Sequence, residues 1–430
     1  MSDLIIRGGN KLSGQLTPAG NKNSALPTLC ATLLTDETVT LRNFPDLTDV
    51  NKLVELMISM GSKIEWDKEN SVISVNNSKF SNDFGEQGFP LGMRGAILLL
   101  GPLLARIGEI EVKEEIGGCT LGIRELDPHF EVLKGLGAKI STNGSIKIKA
   151  KEGLKGAFLW QDYMSVTTTE NFVMAAVTAK GQSIMVNAAS EPHVQDVCEL
   201  LISMGAKIEG EGTSKITIEG VEKLHGADFT ISSDHHEITT LLALGAMTGG
   251  EIRVKDAEPE HFPLIQKSFG KFNVEIEYEG DTAIVRENSQ LKIMQPYTKN
   301  LLQKLEAAPW PYFPADLMPL MIALAVKSEG SIMLWNKLYE GGFFWIPEMI
   351  KFGAHIVMCD PHRIIVYGNK PLKAAQVDSP NIIRATVALM MIALTIEGES
   401  TIRNADSIKR AHPNFIENLN TLGADLKWVD

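Results

Sequence analysis

The chain has 430 residues, a net charge of −12, 44% hydrophobic residues and 22% charged residues. That length exceeds one hydrophobic core and fits two domains, and the acidic balance excludes a general nucleic-acid binder. Any anionic ligand must be met by a local cluster of cations inside an acidic protein.

The elements repeat in chain order. Six times an aromatic residue, Leu or Met precedes a glycine and then a polar step into an apolar strand: Met60-Gly61-Ser62, Leu136-Gly137-Ala138, Met204-Gly205-Ala206, Phe269-Gly270-Lys271, Phe352-Gly353-Ala354 and Leu422-Gly423-Ala424. Successive glycines lie 76, 68, 65, 83 and 70 residues apart, which marks one supersecondary unit used six times. Each repeat opens with an apolar helix, predicted over 25–34, 96–105, 171–179, 238–247, 317–326 and 385–395. A strand follows, over 38–41, 109–112, 183–186, 251–254, 331–334 and 400–402, then an amphipathic helix that the repeated glycine ends, and a closing strand. The opening helices lack a polar face, so burial is expected for all six. The fold class is α/β, with buried helices wrapped by sheets and amphipathic helices. Three repeats per domain is the natural division, and a helical solenoid is the disfavoured alternative.

The starts of the six helices carry the chemistry. Ser165, Thr167 and Thr168 precede the third helix, Asp234 and Glu237 the fourth and Asp316 the fifth, as a positive helix end prefers. Lys22 with Asn23, Arg94 and Arg384 stand at the first, second and sixth instead, where a cation is costly unless an anion sits beside it. Arg124 and Arg410, on loops after strands, are placed to join that cluster. Cys119, in Gly117-Gly118-Cys119-Thr120, lies five residues before Arg124, and a thiol near cations is reactive. Cys30, Cys198 and Cys359 sit in apolar sequence and read as core thiols. The four cysteines and nine histidines show no metal-ligand spacing, so no metal or cofactor is expected. Met1-Ser2-Asp3 does not open a secretory signal and no apolar stretch reaches membrane-spanning length, so a cytoplasmic location is expected.

From Ile6 onward the chain resembles the enolpyruvyl transferase family. The resemblance rests on Gly20-Asn21-Lys22-Asn23-Ser24-Ala25-Leu26-Pro27, Gly117 to Arg124, Asn187-Ala188-Ala189-Ser190-Glu191-Pro192, Phe313-Pro314-Ala315-Asp316 and Ile383-Arg384-Ala385. The Gly-Gly-Cys-Thr loop sets it apart from the 5-enolpyruvylshikimate 3-phosphate synthases. The resemblance implies two inside-out α/β barrel domains, 22–233 and 1–21 with 234–430. It implies transfer of the enolpyruvyl group of phosphoenolpyruvate to the 3′-hydroxyl of UDP-N-acetylglucosamine, the first committed step towards peptidoglycan. By motif, Lys22, Arg124 and Arg410 hold phosphoenolpyruvate, Asn23 lies near the reacting hydroxyl, and Arg384 adds to the anion site. Cys119 is then the general acid and fosfomycin target, and Asp316 takes the hydroxyl proton. Arg94, Arg124, Glu125, Leu126, Asp127, Pro128, His129, Ser165, Val166 and Leu338 contact the UDP-sugar. Three positions depart from the family: Gly342 replaces an arginine, Asn381-Ile382-Ile383-Arg384 loses the carboxylate of an Asp-Leu-Arg tripeptide, and Tyr163 replaces a lysine. Gly342 is expected to vacate a cationic place that Gly342→Arg would refill or Lys337 already fills. Transfer to another nucleotide acceptor, and nucleotide-sugar binding with weak catalysis, stay open as alternatives.

Overall fold

The computed structural model describes residues 2–81, 94–112, 126–142, 145–287, 290–410, 412 and 414–429. Six apolar helices form the centre: Lys22–Ala31, Leu100–Ile107 (preceded by the 3-10 turns Arg94–Leu99), Val166–Ala176, His235–Thr248, Met318–Lys327 and Ile383–Leu394. In the last of these every residue from Ala385 to Leu394 is buried, and in the fourth every residue from His235 to Met247. Each fully buried Leu, Ile, Met or Val contributes about 1.5–3 kcal/mol of transfer free energy, which fixes these helices inside.

The chain divides into two compact domains, one from Met1–Ala19 and Ser233–Asp430 and the other from the described residues between them. Each has its own apolar core. Both follow one sheet plan. In the domain of the first three repeats, Val39–Arg42 pairs antiparallel with Val72–Asn76, which pairs antiparallel with Lys63–Asp67. A fourth strand, Asp228–Thr230, comes from the end of the third repeat and runs parallel to Val39–Arg42. In the same way Phe158–Trp160 leaves the second repeat to run beside Gln182–Val186 of the third.

The other domain exchanges strands between its own repeats. Gln303–Ala307 passes from the fourth repeat to Ser331–Asn336 of the fifth, and Gln376–Asp378 from the fifth to Gly398–Arg403 of the sixth. The sixth repeat takes its third strand from the start of the chain. Asp3–Gly8 lies between Gly398–Arg403 and Asp425–Val429, antiparallel to both. The following strand, Gly14–Leu16, then pairs parallel with Ile252–Val254 of the fourth repeat.

Five of the six repeated glycines adopt the left-handed conformation after their helix: Gly61, Gly137, Gly205, Gly353 and Gly423, with φ from 91° to 104°. Their amides close the helix end, as Gly205 N–H donates to Ile202 O at 2.9 Å and Ala206 N–H to Leu201 O at 2.9 Å. The fourth copy departs from the sequence reading. Gly270 ends Pro263–Gly270 without a positive φ, and Asn273, at φ 59°, does the work three residues later. Asn273 N–H donates to Gly270 O and Val274 N–H to Phe269 O, the same two-bond closure. Asn tolerates the left-handed region better than other side chains, so it substitutes for glycine here. Moving the fourth mark from 270 to 273 evens the flanking spacings from 65 and 83 to 68 and 80 residues. Among the described residues no helix is long and apolar enough to cross a membrane.

Two glycines of one domain therefore answer oppositely to the same substitution. A Cβ at Gly353 meets Pro371 O at 2.8 Å and forces a side chain into φ 93°, whereas a Cβ at Gly270 meets nothing within 4 Å. Gly353→Ala is expected to lower stability by more than about 1 kcal/mol and Gly270→Ala to raise it by about 0.5 kcal/mol. Thermal melts of the two variants check this, and equal melting temperatures contradict it.

Candidate active site

In the first domain the start of the first central helix is built by Asn21. This buried residue caps the helix, its Oδ1 accepting from Asn23 N–H at 2.9 Å, while its own N–H donates to Ser232 O at 2.8 Å. Lys22 is thus held at the positive helix end, and its Nζ lies 3.6 Å from Asp49 Oδ2. The cation that sequence reasoning left to an external anion has a carboxylate of this chain beside it. Arg94 opens the 3-10 turns before the second helix; its side chain, with Cys119, Arg124 and Glu125, lies outside the described residues.

Leu126, Asp127 and Pro128 start the helix Asp127–Gly135, with Asp127 exposed. The next residue, His129, turns into the core. Asn171 Oδ1 accepts from Gly101 N–H at 2.6 Å, so its Nδ2 is the group facing His129 Nδ1 at 3.0 Å. Nδ1 therefore accepts, and Nε2–H donates to Thr167 Oγ1 at 3.2 Å. Burial pulls the His129 pKa down to about 4, leaving a neutral ring that ties the third central helix to its neighbours. Asn171 was not foreseen, although a lone amide within an apolar helix is the signal for it. Ser165 stands just before the third helix and Val166 begins it, both half-buried; Ser165 O accepts from Thr169 Oγ1 at 2.8 Å.

In the second domain Asp316 lies half-buried in the 3-10 turn Ala315–Leu317 that leads into the fifth central helix. Leu338 is exposed on a loop that Asn336 shapes, its Oδ1 accepting from the N–H groups of Leu338 and Tyr339 at 3.0 Å each. Arg410 is exposed at the end of the 3-10 segment Ala405–Arg410.

Arg384, in the first turn of the sixth helix, belongs to a buried charge network. One terminal nitrogen donates to His412 Nε2 at 3.0 Å and the other lies 4.0 Å from Asp234 Oδ2. His412 Nδ1 faces Asp234 at 3.5 Å and Glu237 at 3.7 Å. Asp234 also caps the fourth helix, accepting from His236 N–H at 2.8 Å and facing His236 Nδ1 at 3.0 Å. Burial alone would raise the Asp234 carboxyl, but the hydrogen bond from His236, the His412 N–H that faces it and the Arg384 charge hold it well below the ordinary range. Burial pushes Glu237 up to about 8; the Asp234 charge adds to this, while the bond from Ala19 N–H and the Arg384 charge oppose it.

The chain as a whole is similar to known proteins. The family model for EPSP synthase (3-phosphoshikimate 1-carboxyvinyltransferase) matches residues 6–419. The chain is 41% identical over 430 residues to the UDP-N-acetylglucosamine 1-carboxyvinyltransferase of Borrelia garinii subsp. bavariensis, covering 100% of this chain and 99% of the relative. It belongs to the enolpyruvyl transferase family. The protein of the same name from Bradyrhizobium diazoefficiens is 43% identical over 425 residues, covering 99% and 97%. Among solved structures, the enolpyruvyl transferase NikO from Streptomyces tendae superposes with a TM-score of 0.85 at 22% identity, covering 100% of this chain and 99% of that one. An EPSP synthase from Acinetobacter baumannii gives 0.78 at 18% identity, with both chains fully covered. These two likenesses bear out the two-domain α/β fold.

Measured against the family pattern, Gly342 leaves little room for the arginine that was expected to refill a cationic place. A Cβ there meets Asn336 Nδ2 at 2.4 Å, and Asn336 is the buried residue that shapes the loop. Gly342 O also accepts from Trp345 Nε1 at 3.0 Å. Lys337 is engaged with Glu306 and lies 4.4 Å over the Trp335 ring. A second correction concerns the thiols. Cys30 and Cys198 are buried, and burial raises both well above the usual thiol range, but Cys359 is exposed on the strand His355–Asp360. Val357, Met358 and Cys359 are exposed in succession, where the pairing with Arg363–Tyr367 is interrupted by an irregularity between Met358 and Asp360. Among the described residues, Asp234, His235 and His236 bring potential metal-ligating atoms within 4.8 Å of one another, a grouping the sequence reading did not single out. Asp234 is committed to the helix cap, His236 and Arg384, so its carboxylate serves the charge network.

Two outcomes follow from this geometry. Gly342→Arg is expected to lower stability by about 1–3 kcal/mol through overpacking against Asn336, and a variant as stable as the parent contradicts it. The second outcome concerns pH. Folded Glu237 keeps its proton to about pH 8, whereas the unfolded chain releases it near 4.5. Its contribution to stability is therefore complete below about 4.5 and lost as pH rises through 8. Asp234 acts in the acid limb, its contribution being lost as pH falls below the ordinary 3.8. Melting curves of Glu237→Gln between pH 5 and 9 should decline less than those of the parent, and a parallel decline contradicts the assignment.

Proposed function

We propose that the chain transfers the enolpyruvyl group of phosphoenolpyruvate to the 3′-hydroxyl of UDP-N-acetylglucosamine, releasing phosphate. The observation that carries this reading is the name shared by eight relatives at 35–43% identity over 99–100% of this chain, all UDP-N-acetylglucosamine 1-carboxyvinyltransferases. The reading makes the reaction the first committed step of peptidoglycan synthesis, taking place in the cytoplasm, and the enzyme a fosfomycin target that supports cell-wall biogenesis, cell shape and the cell cycle.

The chemistry assigns a role to each candidate. In the addition step the 3′-oxygen bonds to C2 of phosphoenolpyruvate and gives its proton to Asp316, while C3 takes up a proton from Cys119. In the elimination step the C2–O bond to phosphate breaks and C3 loses a proton, so the enol ether and inorganic phosphate leave. Lys22, Arg124 and Arg410 bind the phosphate and carboxylate of phosphoenolpyruvate, with Asn23 near the reacting hydroxyl. Arg94, Arg124 to Pro128, Ser165, Val166 and Leu338 serve the nucleotide sugar, and His129 acts from the core through its bond to Thr167. Helix starts beside Lys22 and Arg384 support anion binding there, because their unspent N–H groups favour negative charge.

Phosphate release from phosphoenolpyruvate, measured with UDP-N-acetylglucosamine and with shikimate 3-phosphate, tests the reading. Turnover with the nucleotide sugar is expected, and turnover with shikimate 3-phosphate alone overturns it. Asp316→Asn is expected to lower kcat by about 10²- to 10⁴-fold. Fosfomycin, in the presence of the nucleotide sugar, is expected to label Cys119 and to spare Cys30, Cys198 and the exposed Cys359. Peptide mass spectrometry reads the result, and label on Cys359 in place of Cys119 contradicts the role given to Cys119.

A further inference from the structure

The sixth central helix starts with an electrostatic problem. Arg384 is its second residue, in the turn where exposed N–H groups already carry partial positive charge, and its side chain is only 13% exposed. A cation buried there needs a counter-charge, and Asn381-Ile382-Ile383 immediately before it supplies none. The first turn of the helix contains no acidic residue either.

The counter-charge comes from elsewhere in the same domain. Asp234, at the start of the fourth central helix, approaches one terminal nitrogen at 4.0 Å, and His412, from the segment after Ala405–Arg410, accepts from the other at 3.0 Å. Arginine only donates, so His412 Nε2 must be unprotonated, and its Nδ1–H is the end that faces Asp234 and Glu237. His412 is itself buried, its ring centroid 4.9 Å from that of Phe415. The guanidinium is therefore held on two sides by groups of fixed orientation. Among the described residues the bond to His412 is the one hydrogen bond of its five N–H donors, so donors remain for an anion.

We infer that Asp234 and His412 are positioning residues that hold the Arg384 guanidinium ready for an anionic group of the substrate, replacing the carboxylate missing from the sequence just before Arg384. The inference rests on the reading of the chain as an enolpyruvyl transferase that uses Arg384 for binding. Asp234 has two duties, and they are separable. Its capping bond to His236 N–H needs only an oxygen, which Asn supplies equally well, whereas its pairing with Arg384 needs the charge. His412 likewise needs an acceptor toward Arg384, which Gln offers and Phe does not.

The test is steady-state phosphate release from phosphoenolpyruvate by Asp234→Asn, His412→Phe and His412→Gln, each in the parent and in an Arg384→Ala background. Loss of one orienting partner should raise the KM for phosphoenolpyruvate about tenfold, the range expected for a charged hydrogen bond, with kcat changed less than twofold. His412→Gln should recover most of the loss seen in His412→Phe. In the Arg384→Ala background none of the three should add a further effect. Equal effects in both backgrounds mean a role in the fold alone and overturn the inference. Should His412→Phe not fold, His412→Gln and the nitrogen-15 imidazole signals of the parent decide. Nε2 of His412 must be unprotonated in the parent and change when Arg384 is removed; a protonated Nε2 overturns the inference even in a fully active enzyme. A parent that folds and shows this signal yet releases no phosphate with UDP-N-acetylglucosamine overturns the proposed reaction instead.

Discussion

Everything in this molecule follows from having to bury six helices that have no polar side. A buried helix satisfies its own backbone along its length but leaves N–H groups unspent at its start. Each domain meets the first requirement by surrounding its three helices with sheets and amphipathic helices, tied together by strands exchanged from repeat to repeat. The second requirement cannot be met by more apolar surface. It gathers polar and charged residues at the helix starts, and there Asn21, Ser165, Asp234 and Asp316 are found. Since the flanks are occupied by packing, the ends are where chemistry can be placed.

That placement explains how an acidic chain manages cations in its interior. Lys22 lies beside Asp49 and Arg384 beside Asp234, in each case a carboxylate from another element. Lys22 and Asp49 are half-buried, whereas removing Asp234 would leave the Arg384 charge uncompensated in a largely buried place, which costs more than the pair itself contributes. Such an arrangement favours coordinated replacement. A carboxylate lost from one element leaves a requirement that a group on another must answer, and Asp234 with His412 shows one solution.

The repeat was legible because its marks are backbone requirements. A left-handed turn after a helix admits few residues, so Gly61, Gly137, Gly205, Gly353 and Gly423 stand out in the sequence. The fourth mark was misread for the same reason, since Asn273 satisfies the turn without being glycine and Gly270 was a decoy three residues away. The central helices and the residues at their starts were legible from hydrophobic pattern and capping preference. Side-chain partnerships were not. Asp49 for Lys22, Asn171 for His129, and Asp234 and His412 for Arg384 join residues 27, 42, 150 and 28 positions apart, and no local pattern announces them. Cys359 was read as a core thiol because its neighbours Val357 and Met358 are apolar, yet both of these are also exposed on that strand.

The strand Asp3–Gly8 carries a consequence for how the protein is made. It is synthesised well before its two neighbours, Gly398–Arg403 and Asp425–Val429, which are nearly 400 residues further on. At about 5–20 residues per second it waits roughly 20–80 s for its place in the sheet, with Leu4 and Ile6 exposed until then. The domain of the first three repeats has all its strands within one continuous stretch and can finish during that interval. Its partner domain cannot close before Asp425–Val429 has been synthesised, so the six residues of this strand must be kept from pairing elsewhere until then.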